Sequence, residues 1–424
     1  MRFKTFVETC FSIMLVSGVC LPDEEAFISM EGDCRYPAVA TEGSCVFLAW
    51  LATEVRPASL YFRRSIDEGR TWNGARKISN ENGDCMPPSI AVNSGIVHLA
   101  WIDCGEVIDG EMYYTRSLDG GDTWEKNRIL IGNANSAQHP LISCGGSNVY
   151  LIWTDVGHKV FFKASHDQGR TWENETLLGE VGKHSCYCFP PALSVDGDGL
   201  TVAWTSLKED KKGFRLLELP VFTSKKKEKV SSLVCRKSGN NGRTWSREHV
   251  LTKAKVAGET QDEIDNPTML SDGLRSYIFW LDKRNLPLGE LFYARFDSET
   301  KEGSLAGKKL YSAPKRSPRR STAVFDKNGN LHFAWATFFN WQSIVHYGVI
   351  DRAGNILKEK QDLTLKAGRY ENPTIARTPS GILHIFWFNK PADKNERARI
   401  FLKTSQDNGL TWENRGPQTT DVQN

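Results

Sequence analysis

The stretch SIDEGRTW at residues 65–72 brings a hydroxyl, two carboxylates and a guanidinium together within eight residues. Such a set could support nucleophilic or acid–base chemistry. An active site is normally built once, however, and this octapeptide occurs five times, so we interpret it as a structural turn. Glycine would supply a positive φ, and the Ser and Asp side chains would bond nearby backbone amides. The other copies are SLDGGDTW (117–124), SHDQGRTW (165–172), SQDNGLTW (405–412) and a variant with Asn240, SGNNGRTW (238–245).

A longer unit also repeats, and it consists of an apolar run, a Gly/Asn/Asp turn and an alternating run that ends in tryptophan. Each copy predicts a hairpin of strands A and B, a third run that forms strand C and leads into the octapeptide, and a short strand D. Four antiparallel strands at this period predict an all-β, seven-bladed β-propeller, as one domain over residues 24–424. The seven copies end at Trp50, Trp101, Trp153, Trp204, Trp280, Trp335 and Trp387, with spacings of 51, 52, 51, 76, 55 and 52 residues.

Composition and the N-terminus limit the class of protein. The net charge is +3, and no basic face or motif predicts nucleic-acid binding. Residues 1–20 have basic residues before an apolar run, which is typical of a secretory signal peptide, and no later stretch is apolar enough to span a bilayer. We therefore expect an exported protein, in which cysteines that bracket a two-strand unit form disulfides. The expected pairs are Cys34–Cys45 and Cys85–Cys104.

Strand order predicts which residues share a face of the ring. The octapeptides lie on the back, whereas residues before strand A and after strand B meet on the front. Several polar groups that converge at the mouth of a ring predict a ligand site. The alternative is that they only cap strand ends. The front positions are Arg35, Tyr36, Asp265, Arg319, Arg320, Tyr370 and Glu371 before strand A, and Glu54 and Arg56 after strand B.

The octapeptides resemble the Asp boxes, or BNR repeats, of sialidases and related β-propellers, over most of the chain. The same box occurs in proteins with other functions, so it identifies a scaffold better than an activity. Blades 5 and 6 lack the box, and sialidase catalytic domains have six blades where seven copies occur here. A sialidase-like mechanism implies arginines that grip a substrate carboxylate, a tyrosine nucleophile activated by a glutamate, and an aspartate that donates the proton.

Three places carry this resemblance further. Arg35-Tyr36-Pro37 is similar to the family's Arg-Ile-Pro motif, and Glu54-Val55-Arg56 is similar to its Glu-x-Arg segment. Tyr370-Glu371 lies where the family has its tyrosine. No aspartate follows Glu-x-Arg here, so Glu54 is the one carboxylate left in that loop to donate a proton. The resemblance implies Tyr370, Glu371 and Glu54 as catalytic candidates and Arg35, Arg56, Arg319, Arg320 and Asp265 as substrate-binding candidates, with no cofactor or metal.

Three functions remain open from the sequence. The first is a propeller that recognises glycans on its front face, without a demonstrated reaction. The second is an active exo-sialidase or related glycoside hydrolase, and the third is a protein-binding or assembly propeller with no glycan. Residues 206–237 form an insertion between strands B and C of blade 4, which predicts a front-face lid or binding loop, or else a solvated basic segment. The oligomeric state is left open.

Overall fold

The structure is a computed structural model, and all of its described secondary structure is β. The predicted signal segment lies outside the described residues. Within the described part of the chain, no helix is long and apolar enough to cross a bilayer. The described residues are 33–53, 57–79, 85–104, 110–132, 137–181, 190–209, 229–255, 264–273, 275–284, 288–296, 305–313, 315–319, 321–364, 368–391, 396–414 and 418–419.

Seven antiparallel sheets follow one another along the chain, each in the order A, B, C, D. Strands A span Asp33–Glu42, Ser89–Asn93, Ala137–Gly145, Ala192–Asp196, Ile264–Ser271, the split pair Ser317–Pro318 and Thr322–Phe325, and Tyr370–Arg377. Strands B span Cys45–Thr53, Ile96–Asp103, Asn148–Asp155, Gly199–Glu209, Ser276–Asp282, Leu331–Phe339 and Leu383–Asn389. Strands C span Ser59–Ser65, Glu111–Ser117, Lys159–Ser165, Lys229–Ser238, Glu290–Phe296, Gln342–Ile350 and Ile400–Ser405. Strands D span Arg76–Lys77, Arg128–Ile131, Thr176–Glu180, His249–Lys255, Lys308–Ser312, Ile356–Asp362 and Glu413–Asn414.

The sheets form a closed ring with strand A innermost. Strand A of each blade contacts strand A of the next, and strand A of blade 7 contacts that of blade 1. The first and last blades also meet through the backbone, where Cys34 N–H donates to the Ala398 carbonyl at 2.7 Å. Near the C-terminus, Gln418–Thr419 pairs in parallel with Thr71–Trp72 of the first octapeptide. The predicted seven-bladed β-propeller is confirmed.

Each interface between neighbouring blades has a hydrophobic core with one strand-B tryptophan. Trp153, for example, is 1% exposed and packs in the cluster between blades 2 and 3. Octapeptide tryptophans join the same clusters, as where Trp172 meets Tyr114 of the preceding blade edge-on at 5.1 Å. Burying aromatic side chains of this size is the main favourable term that holds sheet to sheet.

The octapeptides form the predicted turns from strand C to strand D. In the blade 3 copy, Thr171 donates its N–H and hydroxyl to the two Asp167 carboxylate oxygens, at 2.8 and 2.7 Å. Ser165 donates to Asp167 at 2.8 Å and accepts from the N–H of Gly169, whose φ is +81°. Burial alone would raise the pKa of Asp167, but the hydrogen bonds from Thr171 and Ser165 outweigh it and hold the pKa at about 2.

Both disulfide predictions are wrong, because the six described cysteines form no disulfide with one another. Cys34 pairs with Ala52 at one end of the first hairpin, whereas Cys45 pairs with Glu42 at the other end. Cys85 packs between blades 1 and 2, and Cys104 packs between blades 2 and 3. The members of the second pair therefore lie on opposite faces of one sheet, which a disulfide cannot join.

Four histidines are buried inside blades and are held by neutral hydrogen-bond partners or carboxylates: His98, His332, His346 and His384. His98 Nδ1 lies 2.8 Å from the Tyr114 hydroxyl. Burial, reinforced by the charge of Arg116, lowers the pKa of His98 to about 4. Burial also lowers the pKa of His346 to about 4, although Asp362 opposes the shift. His98 and His346 are therefore neutral in the folded protein near pH 7.

We expect Asp167→Ala to destabilise the protein by about 1–3 kcal/mol, since it removes three hydrogen bonds worth about 1 kcal/mol each. Asp167→Asn should cost much less, because Asn240 bonds the equivalent three groups in the blade 4 turn, where its amide N–H donates to the Thr244 hydroxyl. Urea denaturation of both variants measures the difference. Equal losses from the two substitutions would show that these hydrogen bonds do not hold the turn.

Stability should fall as the pH decreases from 6.5 to about 4. The unfolded chain takes up protons on histidine near pH 6.5, whereas His98 and His346 take them up near pH 4 when folded. The free energy of unfolding is therefore greatest above pH 6.5 and declines through this window. Thermal denaturation at several pH values tests this, and His98→Gln should flatten the decline. A melting temperature that stays constant from pH 7 to 4.5 would contradict it.

Candidate functional site

The innermost strand is irregular at its front end in several blades. In blades 1, 3, 5 and 7 the register with strand B shifts there, and a residue with positive φ precedes a proline at each shift. A bulge bends its strand and turns the adjacent side chains away from their regular positions. The four residues are Tyr36 (φ 55°), His139 (φ 51°), Asn266 (φ 52°) and Asn372 (φ 49°). The four blades therefore have the same backbone irregularity at the front edge but present different side chains there.

Arg35 is placed by the joint between the first and last blades. Its guanidinium forms an ion pair with Asp33 at 2.5 Å, and the Asp33 side chain also accepts from the Ala398 N–H at 2.8 Å. Asp33 thus ties the start of blade 1 to blade 7 and holds Arg35 beside that seam. The Arg35 side chain is about one-third exposed, at 36%, so it can also reach a ligand.

Tyr36 lies at the same seam, and the charges of two other residues act on its hydroxyl. Its ring packs against Phe388 of blade 7, with ring centroids 5.2 Å apart. Burial raises the pKa of the Tyr36 hydroxyl, the charge of Glu371 raises it further, and Arg35 opposes both. Tyr36 therefore stays a neutral phenol near pH 7, and the two charges that act on it come from different blades.

Tyr370, the predicted nucleophile, has its ring between blades 6 and 7. It is 8% exposed, belongs to the hydrophobic cluster of that interface, and meets Phe401 edge-on at 6.4 Å. Glu371 raises the pKa of a different tyrosine, Tyr36 of blade 1. The sequence motif placed Tyr370 next to Glu371 along the strand, but successive strand residues point to opposite faces. A catalytic role for Tyr370 stays a prediction.

Asp265 is buried beneath the front edge of blade 5. It is 1% exposed, and Lys283 Nζ lies 2.5 Å from its carboxylate. Burial raises the pKa of Asp265, while Lys283 and the more distant Arg319 oppose that shift. The carboxylate that pairs with Lys283 is thus a buried group of the protein itself. This ion pair holds the front end of strand A in blade 5. Contact between Asp265 and a ligand stays a prediction.

Three predicted site residues, Glu54, Arg56 and Arg320, lie outside the described residues. The blade 4 insertion is described only at its base, where strands B and C extend forward and Glu209 pairs with Lys229. The roles assigned to these parts of the chain from the sequence stay predictions.

A prominent front-face residue that sequence reasoning missed is Trp341. It lies in the two-residue turn between strands B and C of blade 6, and it is 72% exposed. Arg369 lies over its ring, 5.2 Å from the centroid, and Phe338 meets it edge-on at 6.2 Å. Arg319 in turn lies over Phe338 at 5.2 Å. The signal that could have found it is that Trp341 is the one tryptophan of 13 outside the repeat positions.

Two of the guanidinium groups at this front edge have no carboxylate partner among the described residues. Among the described residues, neither Arg319 nor Arg369 forms an ion pair with a carboxylate, in contrast to Arg35 and Lys283. No group of three or more metal-ligating side chains occurs in the described part of the chain. The arrangement offers guanidinium donors, one phenol, one carboxylate and an exposed indole, which suits polar recognition with aromatic stacking.

Comparison with known proteins gives matches in fold. Neither a family model nor a curated protein sequence matches the chain. A lectin from Burkholderia pseudomallei aligns with a TM-score of 0.56 and 10% identity, over 91% of this chain and 98% of its own. A prolyl endopeptidase aligns with a TM-score of 0.52 and 12% identity, over 92% of this chain and 50% of its own. A sialidase from Trypanosoma rangeli aligns with a TM-score of 0.45 and 12% identity, over 91% and 57%.

At these identities the similarity shows the fold alone. A lectin and a prolyl endopeptidase both align with this fold, so the fold does not select between their activities. The side chains at the front edge, and not the fold, therefore determine the function of this chain.

The environment of Tyr36 can be tested by titration. Glu371→Gln should lower the pKa of Tyr36, because it removes a negative charge that disfavours the phenolate, and Arg35→Gln should raise it. NMR titration of tyrosine ring carbons measures both shifts, with Tyr36→Phe used for assignment. Glu175→Gln, on blade 3, is the control and should leave the resonance unchanged. If neither front-edge variant shifts the pKa, the three groups are not neighbours.

Proposed function

We propose that the front face of this propeller binds a glycan at the seam between blades 1 and 7. The observation that carries the proposal is the packing of Tyr36, the residue after Arg35, on Phe388, which is the cross-strand partner of Glu371. Sugar hydroxyls both donate and accept hydrogen bonds, and Arg35, Tyr36 and Glu371 supply charged donors, a neutral phenol and a charged acceptor. A sugar carboxylate, where the ligand has one, would pair with guanidinium groups in two parallel hydrogen bonds.

Two further points support this proposal. The octapeptide turns resemble the Asp boxes of sialidases and related propellers. The lectin with a similar fold is, by its name, a carbohydrate-binding protein that uses a propeller of comparable length. Recognition of a protein partner, the competing function, would require a larger complementary surface than three side chains at one seam.

The proposal is tested by a glycan array of neutral and acidic sugars, followed by calorimetry on the glycans retained. We expect binding by the purified protein, and a loss of about tenfold or more in affinity for Glu371→Gln and Arg35→Gln, because a hydrogen bond to a charged group contributes about 1.5–3 kcal/mol. The matched controls are Glu175→Gln on blade 3 and Arg352→Gln on the back of blade 6. Absence of any glycan binding, or equal losses in the control variants, would refute the proposal.

A glycoside hydrolase at the same seam is the second candidate function. The observation that favours it is the Tyr36–Glu371 pair, because a carboxylate beside a phenol is what a tyrosine nucleophile requires. A fluorogenic sialoside provides the assay. Turnover that Tyr36→Phe abolishes and Tyr370→Phe retains would support hydrolysis through Tyr36. The reverse pattern would return the role to Tyr370, and binding without turnover would leave recognition alone.

We also propose that the protein is exported, from the signal-like pattern of residues 1–20. N-terminal sequencing of the mature protein tests this, since export by this route removes the first 20 or so residues. An intact N-terminus on protein recovered from inside the cell would refute it.

A further inference from the structure

We propose that Trp341 is a stacking subsite for a pyranose ring, one position along an oligosaccharide from the seam, an inference that rests on the glycan binding proposed above. Seven tryptophans lie within strands B, five close octapeptide turns, and Trp341 alone belongs to neither set. The strand-B tryptophans are at most 1% exposed, whereas Trp341 is 72% exposed. The other twelve tryptophans therefore pack within the fold, whereas the indole of Trp341 faces solvent.

The backbone at Trp341 favours a different residue. Phe339 pairs with Gln342, so Asn340 and Trp341 form a two-residue hairpin turn, with φ values of 48° and 63°. Positive φ at both positions is the geometry for which hairpins prefer Asn-Gly. A bulky residue in this conformation is strained. Since Trp341 also buries little surface, its presence is better explained by a ligand than by folding.

The indole is held in place and keeps one face open. The Arg369 guanidinium covers one face, and Phe338 supports the ring edge. A ring that is already ordered loses less conformational entropy on binding. The C–H face of a pyranose can pack on the open face, while nearby guanidinium donors reach its hydroxyl or carboxyl oxygens.

The hairpin tip is tied to strand A of blade 7, the strand that carries Glu371 and borders the seam. Ser343, two residues after Trp341, accepts the Tyr370 N–H at 2.5 Å and donates its hydroxyl to the Tyr370 carbonyl at 2.6 Å. Arg369, which stacks on the indole, is two residues from Glu371, or about 7 Å along an extended strand. Neighbouring units of an oligosaccharide can span that separation. The subsite therefore implies a ligand of at least two sugar units.

The surroundings favour a sugar over a protein at this position. Exposed tryptophan and arginine are also typical of protein–protein hot spots, but those lie within large, well-packed patches. Among the described residues of blades 6 and 7, no other large hydrophobic residue is exposed on the front edge; Val156 and Leu288 are exposed there on blades 3 and 5. An isolated ring fits one sugar unit better than a protein surface.

Iodide quenching of tryptophan fluorescence can follow Trp341 selectively, because the other twelve side chains are buried or partly buried and nearby arginines attract the anion. The probes are lactose, 3′-sialyllactose and a hyaluronan tetrasaccharide, each also titrated by calorimetry. We expect at least one probe to bind and to reduce quenching. Trp341→Gly should weaken that binding about tenfold without lowering the melting temperature. Trp341→Phe, which keeps an aromatic ring, should retain most of the affinity.

The outcomes separate this inference from the proposed function. Binding without protection of Trp341, and with unchanged affinity in Trp341→Gly, would overturn the subsite and leave the glycan site at the seam. No binding of any probe would overturn both. A marked fall in melting temperature in Trp341→Gly would show that the indole serves the fold, which would also overturn the subsite.

Discussion

The whole ring depends on burial of aromatic side chains between neighbouring sheets. Each of the seven interfaces contains one strand-B tryptophan, and no single blade could bury that indole by itself. A blade is thus stable only with neighbours on both sides, which is the general condition for propellers and other repeat folds. Closure into a circle satisfies this condition for the first and last blades as well.

The sequence was informative where the structure repeats. Tryptophans such as Trp153 recur at a fixed period because every interface has the same packing requirement, and the octapeptide recurs because every C-to-D turn has the same backbone requirement. Blade number, strand order and the back position of these turns could therefore be predicted. Disulfide pairs could not, since proximity along a hairpin says nothing about which face of the sheet a cysteine occupies, as Cys85 and Cys104 show.

The candidate site was harder to predict because it consists of departures from the repeat. Tyr370 lies next to Glu371 in sequence, yet the alternation of a strand directs its ring into the interface between blades, and Tyr36 from the far end of the chain takes the neighbouring position. Trp341 has no counterpart in the other blades, so a search for periodic features passes over it. In this fold, residues that depart from the repeat are therefore a better guide to function than residues that follow it.

The way the circle closes has a consequence for binding. Blade 1 uses the first described strands and blade 7 the last full set, so the two blades are separate four-stranded sheets. They are joined by Asp33, by the adjoining core and by the short pairing of Gln418–Thr419 with Thr71–Trp72, which together act as a clasp. Arg35 and Glu371 lie on either side of that clasp. A ligand that touches both would fasten the two termini together, so part of its binding free energy would go into resisting the opening of the ring.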